Sequence, residues 1–280
     1  MNMLDNGTIN KIESFVYSKP RTIQEIAQHI EKNWRTADRY VDEIEKSFGT
    51  LSTRVFRGGT RGALKIVFWS SVEKIRGTVF QEKLEQQILH ASTKEEFSAF
   101  DLYQHVADKD KKAIMEKIVY KEGLDTNGLI DFILKAKKQL LIFSGNLSFI
   151  NMYSKNTTMI KALDSLIAKG VAIKILCRVD LVGKQNIEKV LELNFKHGKE
   201  LLEIRHQEQP LRAFVVDNIM LRVREIKEPT GKVNELNSKI TIYYEIRDKE
   251  WSAWLGKIFW KMFSNSIDAN KRIIELNKLK

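Results

Sequence analysis

From residue 139 onward, short apolar runs of strand length alternate with segments of helical period. This alternation constrains the fold more than any other property of the chain. The strand candidates are Gln139 to Phe143, Val171 to Cys177, Ala213 to Val216, Ile219 to Val223 and Ile240 to Ile246. Helical patterns occupy Thr157 to Lys169, Asn186 to His197 and Lys249 to Met262. Strands interleaved with helices bury their sheet beneath those helices, so 129–280 is expected to be an α/β domain. Only three prolines and fourteen glycines interrupt the 280 residues, so long regular elements are expected and a disordered linker is not.

The first 75 residues have a different pattern. Ile9, Ile12, Phe15 and Val16 share one face of a helix that Pro20 ends. Thr22 is an N-cap for Ile23 to Ile30, and Glu25, three residues on, completes a capping box. Asn33 caps a third helix running to about Ser47. Two β-prone runs follow, Leu51 to Arg57 and Ala63 to Trp69, joined by Gly58-Gly59-Thr60-Arg61-Gly62, whose glycines permit a tight hairpin. Three helices and a hairpin are the order of a winged helix-turn-helix. Between the two regions, 76–128 is expected to be a helical connector and a dimerisation surface, with Phe80, Leu84, Ile88, Ile114 and Ile118 at helical spacing.

Charge placement points to a partner. Lysine and arginine total 47 against 36 aspartates and glutamates, a formal +11. On the third helix Ala37, Tyr40, Val41 and Ile44 cluster on one side, leaving Arg35, Thr36 and Arg39 on the other. Arginine near the start of such a helix can pair bidentately with guanine in a major groove. Trp34 is either a core staple or a DNA-contacting aromatic. From Lys46 to Val72 there is no acidic residue, whereas Arg54, Arg57, Arg61 and Lys65 lie within that stretch, so the hairpin is expected to neutralise phosphates.

Cys177 is the only cysteine and the five histidines show no metal-ligand spacing, so no metal site or cofactor is expected. No apolar run approaches the roughly 18 to 20 residues that span a bilayer, and the N-terminal residues lack a signal peptide's apolar core. A cytoplasmic, nucleoid-associated protein without a membrane partner is expected.

The runs Thr22-Ile-Gln-Glu-Ile-Ala-Gln-His, Asn33-Trp-Arg-Thr-Ala-Asp-Arg-Tyr and Arg54-Val-Phe-Arg-Gly-Gly-Thr-Arg-Gly-Ala-Leu-Lys resemble archaeal winged helix-turn-helix transcription regulators. That resemblance covers about a quarter of the chain and implies double-stranded DNA binding through the third helix and wing. The second half resembles the phospholipase D-like domain, also found in TrmB-type archaeal regulators. It does so through Ala136-Lys-Lys-Gln-Leu-Leu-Ile-Phe-Ser-Gly-Asn, Leu166-Ile-Ala-Lys-Gly-Val-Ala-Ile-Lys-Ile-Leu-Cys, Arg212-Ala-Phe-Val-Val-Asp217 and Trp251-Ser-Ala-Trp-Leu-Gly-Lys-Ile-Phe-Trp.

Active members of that superfamily carry His-x-Lys-x4-Asp. Aligned on Asp217, the motif places Pro210 at the nucleophilic histidine and Arg212 at the lysine, so covalent catalysis is lost. The one His-x-Lys, His197-Gly198-Lys199, has Ile204 where an aspartate is required, and His206 is a polar loop histidine or a residue reaching the same cleft. The resemblance implies that Arg205, Arg212 and Asp217 converge near strand ends, with Ser144 and Asn146 beside them, on a small anionic or sugar-like effector. The expected function is a homodimeric, sequence-specific transcription regulator and not an enzyme. The alternatives are a DNA-targeted phosphodiesterase or nuclease, and an interaction module binding nucleic acid without sequence preference.

Overall fold

The computed structural model describes residues 4–57, 63–70, 77–117, 123–125, 127–229 and 239–278. Its N-terminal part, the head, runs α1 (Asn6–Ser18), β1 (Arg21–Thr22), α2 (Ile23–His29), α3 (Trp34–Ser47), β2 (Leu51–Arg57) and β3 (Ala63–Trp69). Each helix begins where a side chain can satisfy its orphan amides. Asp5 accepts from Thr8 N, and Asn33 accepts from Thr36 N. The Thr22–Glu25 box forms in both directions, at 3.1 and 2.7 Å. The strands pair in the order β1-β3-β2, and Ile12, Ile26, Ala37, Val41 and Ile44 fill the core between helices and sheet. The turn residues Gly58 to Gly62 lie outside the described residues.

The middle segment contains α4 (Gly77–His90), α5 (Ala99–Gln104), a 3-10 turn at Asp108–Asp110, β4 (Lys111–Lys117) and α6 (Leu129–Ile133). This corrects the expectation of a helical connector over 76–128. β4 pairs antiparallel along its length with a strand near the far end of the chain, so Ile114 sits on a strand; Ile118 lies outside the described residues. Lys, Ala, Met and Glu favour a helix locally, and tertiary pairing overrides that preference.

The rest, the body, runs β5 (Gln139–Phe143), α7 (Met159–Ala168), β6 (Ala172–Cys177), α8 (Lys184–His197), β7 (Leu202–His206), β8 (Ala213–Val216), β9 (Met220–Lys227), β10 (Ile240–Ile246), α9 (Lys249–Ser264), β11 (Ile267–Asp268) and α10 (Ala269–Asn277). Among the described residues eight strands form one mixed sheet, ordered β11-β7-β6-β5-β8-β9-β10-β4. β5, β6 and β7 run parallel, and the strands from β8 to β4 are antiparallel. Alternate residues along each strand feed two cores. On one face Phe143, Val215 and Tyr244 meet α5 and α9, including Trp251, Trp254, Ile258 and Met262. On the other, Ile142, Ile175 and Val216 meet α6, α7, α8 and α10. The tryptophan-rich stripe of α9 is thus core packing.

Head and body share a layer. Phe56, Leu64 and Ile66 point from the hairpin into the body core, while Leu51 and Val67 point into the head core. Phe56 lies 6.1 Å from the Phe100 ring and 6.2 Å from those of Tyr103 and Tyr244. The two strands of the hairpin therefore contribute side chains to both cores.

Candidate functional site

Two regions carry candidate function: the outer face of α3 and a cavity between head and body. On α3 the buried residues Ala37, Tyr40, Val41 and Ile44 face the head core, and Arg35 and Arg39 are exposed on the opposite side. Their guanidinium carbons lie 5.6 Å from the Trp34 ring and 5.3 Å from the Tyr40 ring, so each is braced by a neighbouring aromatic. Thr36 is half-buried in the first turn, and Trp34 packs half-buried against the head core, as a staple would.

The hairpin cations are placed differently from the sequence expectation. Lys65 is not free for phosphate: its Nζ reaches Asp38 at 2.8 Å and Asp42 at 2.7 Å, both on α3. Partial burial pulls its pKa down, but the two carboxylates outweigh that and hold it above the ordinary lysine value. Arg54 lies over the Tyr103 ring at 5.1 Å and is 3.4 Å from Asp108, both of the middle segment. The physical reason is strand parity. Residues 54, 56, 64 and 66 face the body, whereas 65 and 67 face α3, so neither Arg54 nor Lys65 points outward. Arg57 ends β2; its side chain and Arg61 lie outside the described residues.

The cavity has a volume of about 890 Å³ and is lined by Lys19, Glu25 and Gln28 of the head and by body residues from several strand ends. Ser144 follows β5, Arg178 follows β6 and Gln207 follows β7, so it opens at the carboxyl ends of the parallel strands, where open α/β sheets bind ligands. Ser144 is buried and its hydroxyl accepts from Leu147 N at 3.2 Å, while its carbonyl accepts from Gln209 Nε2 at 2.8 Å. Asn146 Oδ1 accepts from Ser148 N at 3.3 Å. Arg212 Nη1 donates to the Leu211 carbonyl at 2.6 Å, and the rest of its guanidinium lies against Gly145, where a Cβ would stand 2.8 Å from Nη2.

Ser144, Asn146 and Arg212 line one cavity, and Arg205 and Asp217 are not part of its lining. Asp217 follows β8 and Arg212 precedes it; five residues of extended chain separate them by about 16 Å. The Asp217 carboxylate instead accepts from the amides of Lys137, Lys138 and Gln139 at 2.8 to 2.9 Å, fixing the start of β5. Its φ of 51° is the left-handed turn conformation that aspartate tolerates. Arg205 is occupied by Glu203 at 2.7 Å and by the Phe263 carbonyl at 3.0 Å.

Arg178 and Arg224 line the cavity as well, and motif matching does not single them out. The alternation Arg222-Val223-Arg224 was the available signal, since alternate strand residues share a face. His206 ends β7 and its Nδ1 accepts from Val179 N at 2.9 Å, a positioning bond. His197 pairs with Asp164 at 2.6 Å on α7, remote from the cavity lining. Among the described residues no group of His, Cys, Asp or Glu is arranged to hold a metal ion, and no helix is long and apolar enough to cross a membrane.

Neither a protein family nor a curated protein matches this chain. Similar solved structures include TrmBL2, an archaeal chromatin protein described as showing a novel mode of DNA binding. It has 15% identity over 94% of both chains and a TM-score of 0.38. Nuc, a phospholipase D family member from Salmonella typhimurium, has 11% identity, covering 57% of this chain and 98% of its own, with a TM-score of 0.39. NucT from Helicobacter pylori has 13% identity, covering 57% and 99%, with a TM-score of 0.35. None of these assigns a role to a residue here.

Cys177 closes β6 within the core, and burial pushes its thiol up to about 12. With almost no thiolate at neutral pH it is expected to resist alkylation by iodoacetamide at pH 8 until the protein is unfolded. Rapid labelling of the native chain, monitored by mass, would contradict this placement.

Proposed function

We propose that this chain is a sequence-specific DNA-binding transcription regulator, acting as a homodimer in the cytoplasm on the nucleoid, and that it is not an enzyme. The observation that carries the reading is the face of α3. Arg35 and Arg39 are exposed at its amino-terminal half, while Asp38 and Asp42, the carboxylates that would repel phosphates, are held by Lys65. A helix so arranged suits a major groove, with the arginines at base edges and Thr36 beside them. Two copies of the head would read a pseudo-palindromic site.

The absence of enzymatic activity is supported by the residues at the phospholipase-like positions. Pro210 is buried without a nucleophile, and His206 spends Nδ1 on a backbone amide. The test is a titration of operator duplex with Arg35→Ala and Arg39→Ala. Each is expected to cost roughly 1 to 3 kcal/mol and to relax preference at one base pair. Unchanged affinity and preference in both variants would overturn the reading.

A further inference from the structure

We propose that the cavity between head and body binds a small organic phosphate, held by Arg178, Arg212 and Arg224 on the body side and closed by Lys19 and Gln28 on the head side. This goes beyond DNA binding and holds whether or not the chain reads DNA.

The arginines set the chemistry. Val223 pairs with Ala213, and Arg224 N donates to the Arg212 carbonyl at 2.8 Å, so Arg212 and Arg224 are neighbours across β8 and β9 on the same sheet face. Neither forms an ion pair with a carboxylate among the described residues, and Arg224 Nε is buried there without a hydrogen-bond partner. Burial, then the nearby charges of Arg178 and Arg224, pull the Arg212 pKa down, and the smaller opposing effect of the Glu95 carboxylate does not cancel them. Adjacent like charges in a half-buried wall are destabilising unless an anion joins them, and guanidinium forks match phosphate oxygens bidentately.

Arg178 is brought to the same place because its amide donates to the Gly145 carbonyl at 2.7 Å. Among the described residues its ion pair is with Asp180, at 2.6 Å. Gly145 has a definite part, since any side chain there would displace the Arg212 guanidinium.

Beside the cations lies an apolar wall of Phe149, Met152, Phe214 and Tyr243, in which Phe149 and Phe214 meet edge to face at 5.2 Å. Inorganic phosphate would leave that wall bare, whereas a ring-bearing phosphate covers it. The volume of about 890 Å³ suits a molecule of nucleotide size. Lys19 and Gln28 belong to the head, and Lys19 Nζ donates to the Glu95 carbonyl of the middle segment, another residue of the cavity lining. Head residues thus line the same cavity as the three arginines.

The test is calorimetric titration of the full chain, without DNA, using ADP, inorganic pyrophosphate, adenosine and sucrose as probes. ADP is expected to bind best, pyrophosphate more weakly, and adenosine and sucrose not at all. Arg212→Ala with Arg224→Ala is expected to weaken ADP about a hundredfold, from the loss of two charge-assisted contacts. Gly145→Ala keeps every charge yet is expected to weaken ADP about tenfold by moving Arg212. Lys19→Ala with Gln28→Ala should weaken it several-fold, with the melting temperature of each variant showing that it is folded. Adenosine or sucrose binding as tightly as ADP, no binding of either phosphate probe at millimolar concentration, or full ADP affinity in the folded double-arginine variant would overturn the proposal.

Discussion

Replacing Lys65 with Met is expected to weaken DNA binding by about ten- to a hundredfold, and changing Asp38 and Asp42 to Asn in the same chain to restore most of the loss. Lys65 bonds both carboxylates at 2.7 to 2.8 Å on the helix that carries Arg35 and Arg39. Its removal leaves two bare negative charges within a Debye length of an approaching phosphate backbone. The pair is partly exposed, so its effect on folding is expected to stay near 1 kcal/mol. The triple variant separates two roles. If Lys65 itself contacted phosphate, removing the aspartates would not bring back the contact. A triple variant as weak as Lys65→Met would therefore contradict the masking role, and electrophoretic or fluorescence titration at fixed salt reads the difference.

Phe56→Ala is expected to cost about 3 to 5 kcal/mol of folding stability. Phe56 reaches from the hairpin into a cluster with Phe100, Tyr103 and Tyr244, so truncation opens a cavity at the seam joining head and body. Because one hairpin serves both cores, the intact chain is expected to melt in one calorimetric transition and the variant to lose that coincidence, its head unfolding first. A change below about 1 kcal/mol with a single unchanged transition would show that the seam is not a shared core.

The helices of the head were legible because their caps are local. Thr22 and Asn33 each sit within three residues of the amides they satisfy, whereas the Asp5 cap that starts α1 at Asn6 was not read from the sequence. The body strands were legible where apolar runs are continuous, as in Gln139 to Phe143. β4 was not, because Lys111-Lys-Ala-Ile-Met-Glu-Lys117 is made of residues with helical preference and is held extended by β10, whose matching residues lie more than a hundred positions away.

The hairpin held a signal that composition obscured. Leu64 to Trp69 is apolar at Leu64, Ile66 and Phe68 and again at Val67 and Trp69, the pattern of a strand covered on both faces. An acid-free stretch was legible as basic, but where Lys65 points depends on parity and on α3, 23 to 27 residues earlier. Asp217 shows the same limit. Motif position suggested a binding role, whereas its three amide partners around residue 138 become visible only in the fold.

The proposed sequence-specific reading of DNA by the outer face of α3 is open to selection from a random duplex library with the purified full chain at physiological salt. A recurrent motif with two half-sites about one helical turn apart is expected, with loss of preference at one position of each half-site when Arg39→Ala replaces the native chain. Salt-sensitive binding that enriches no motif, or the same motif at full strength from Arg39→Ala, would contradict it.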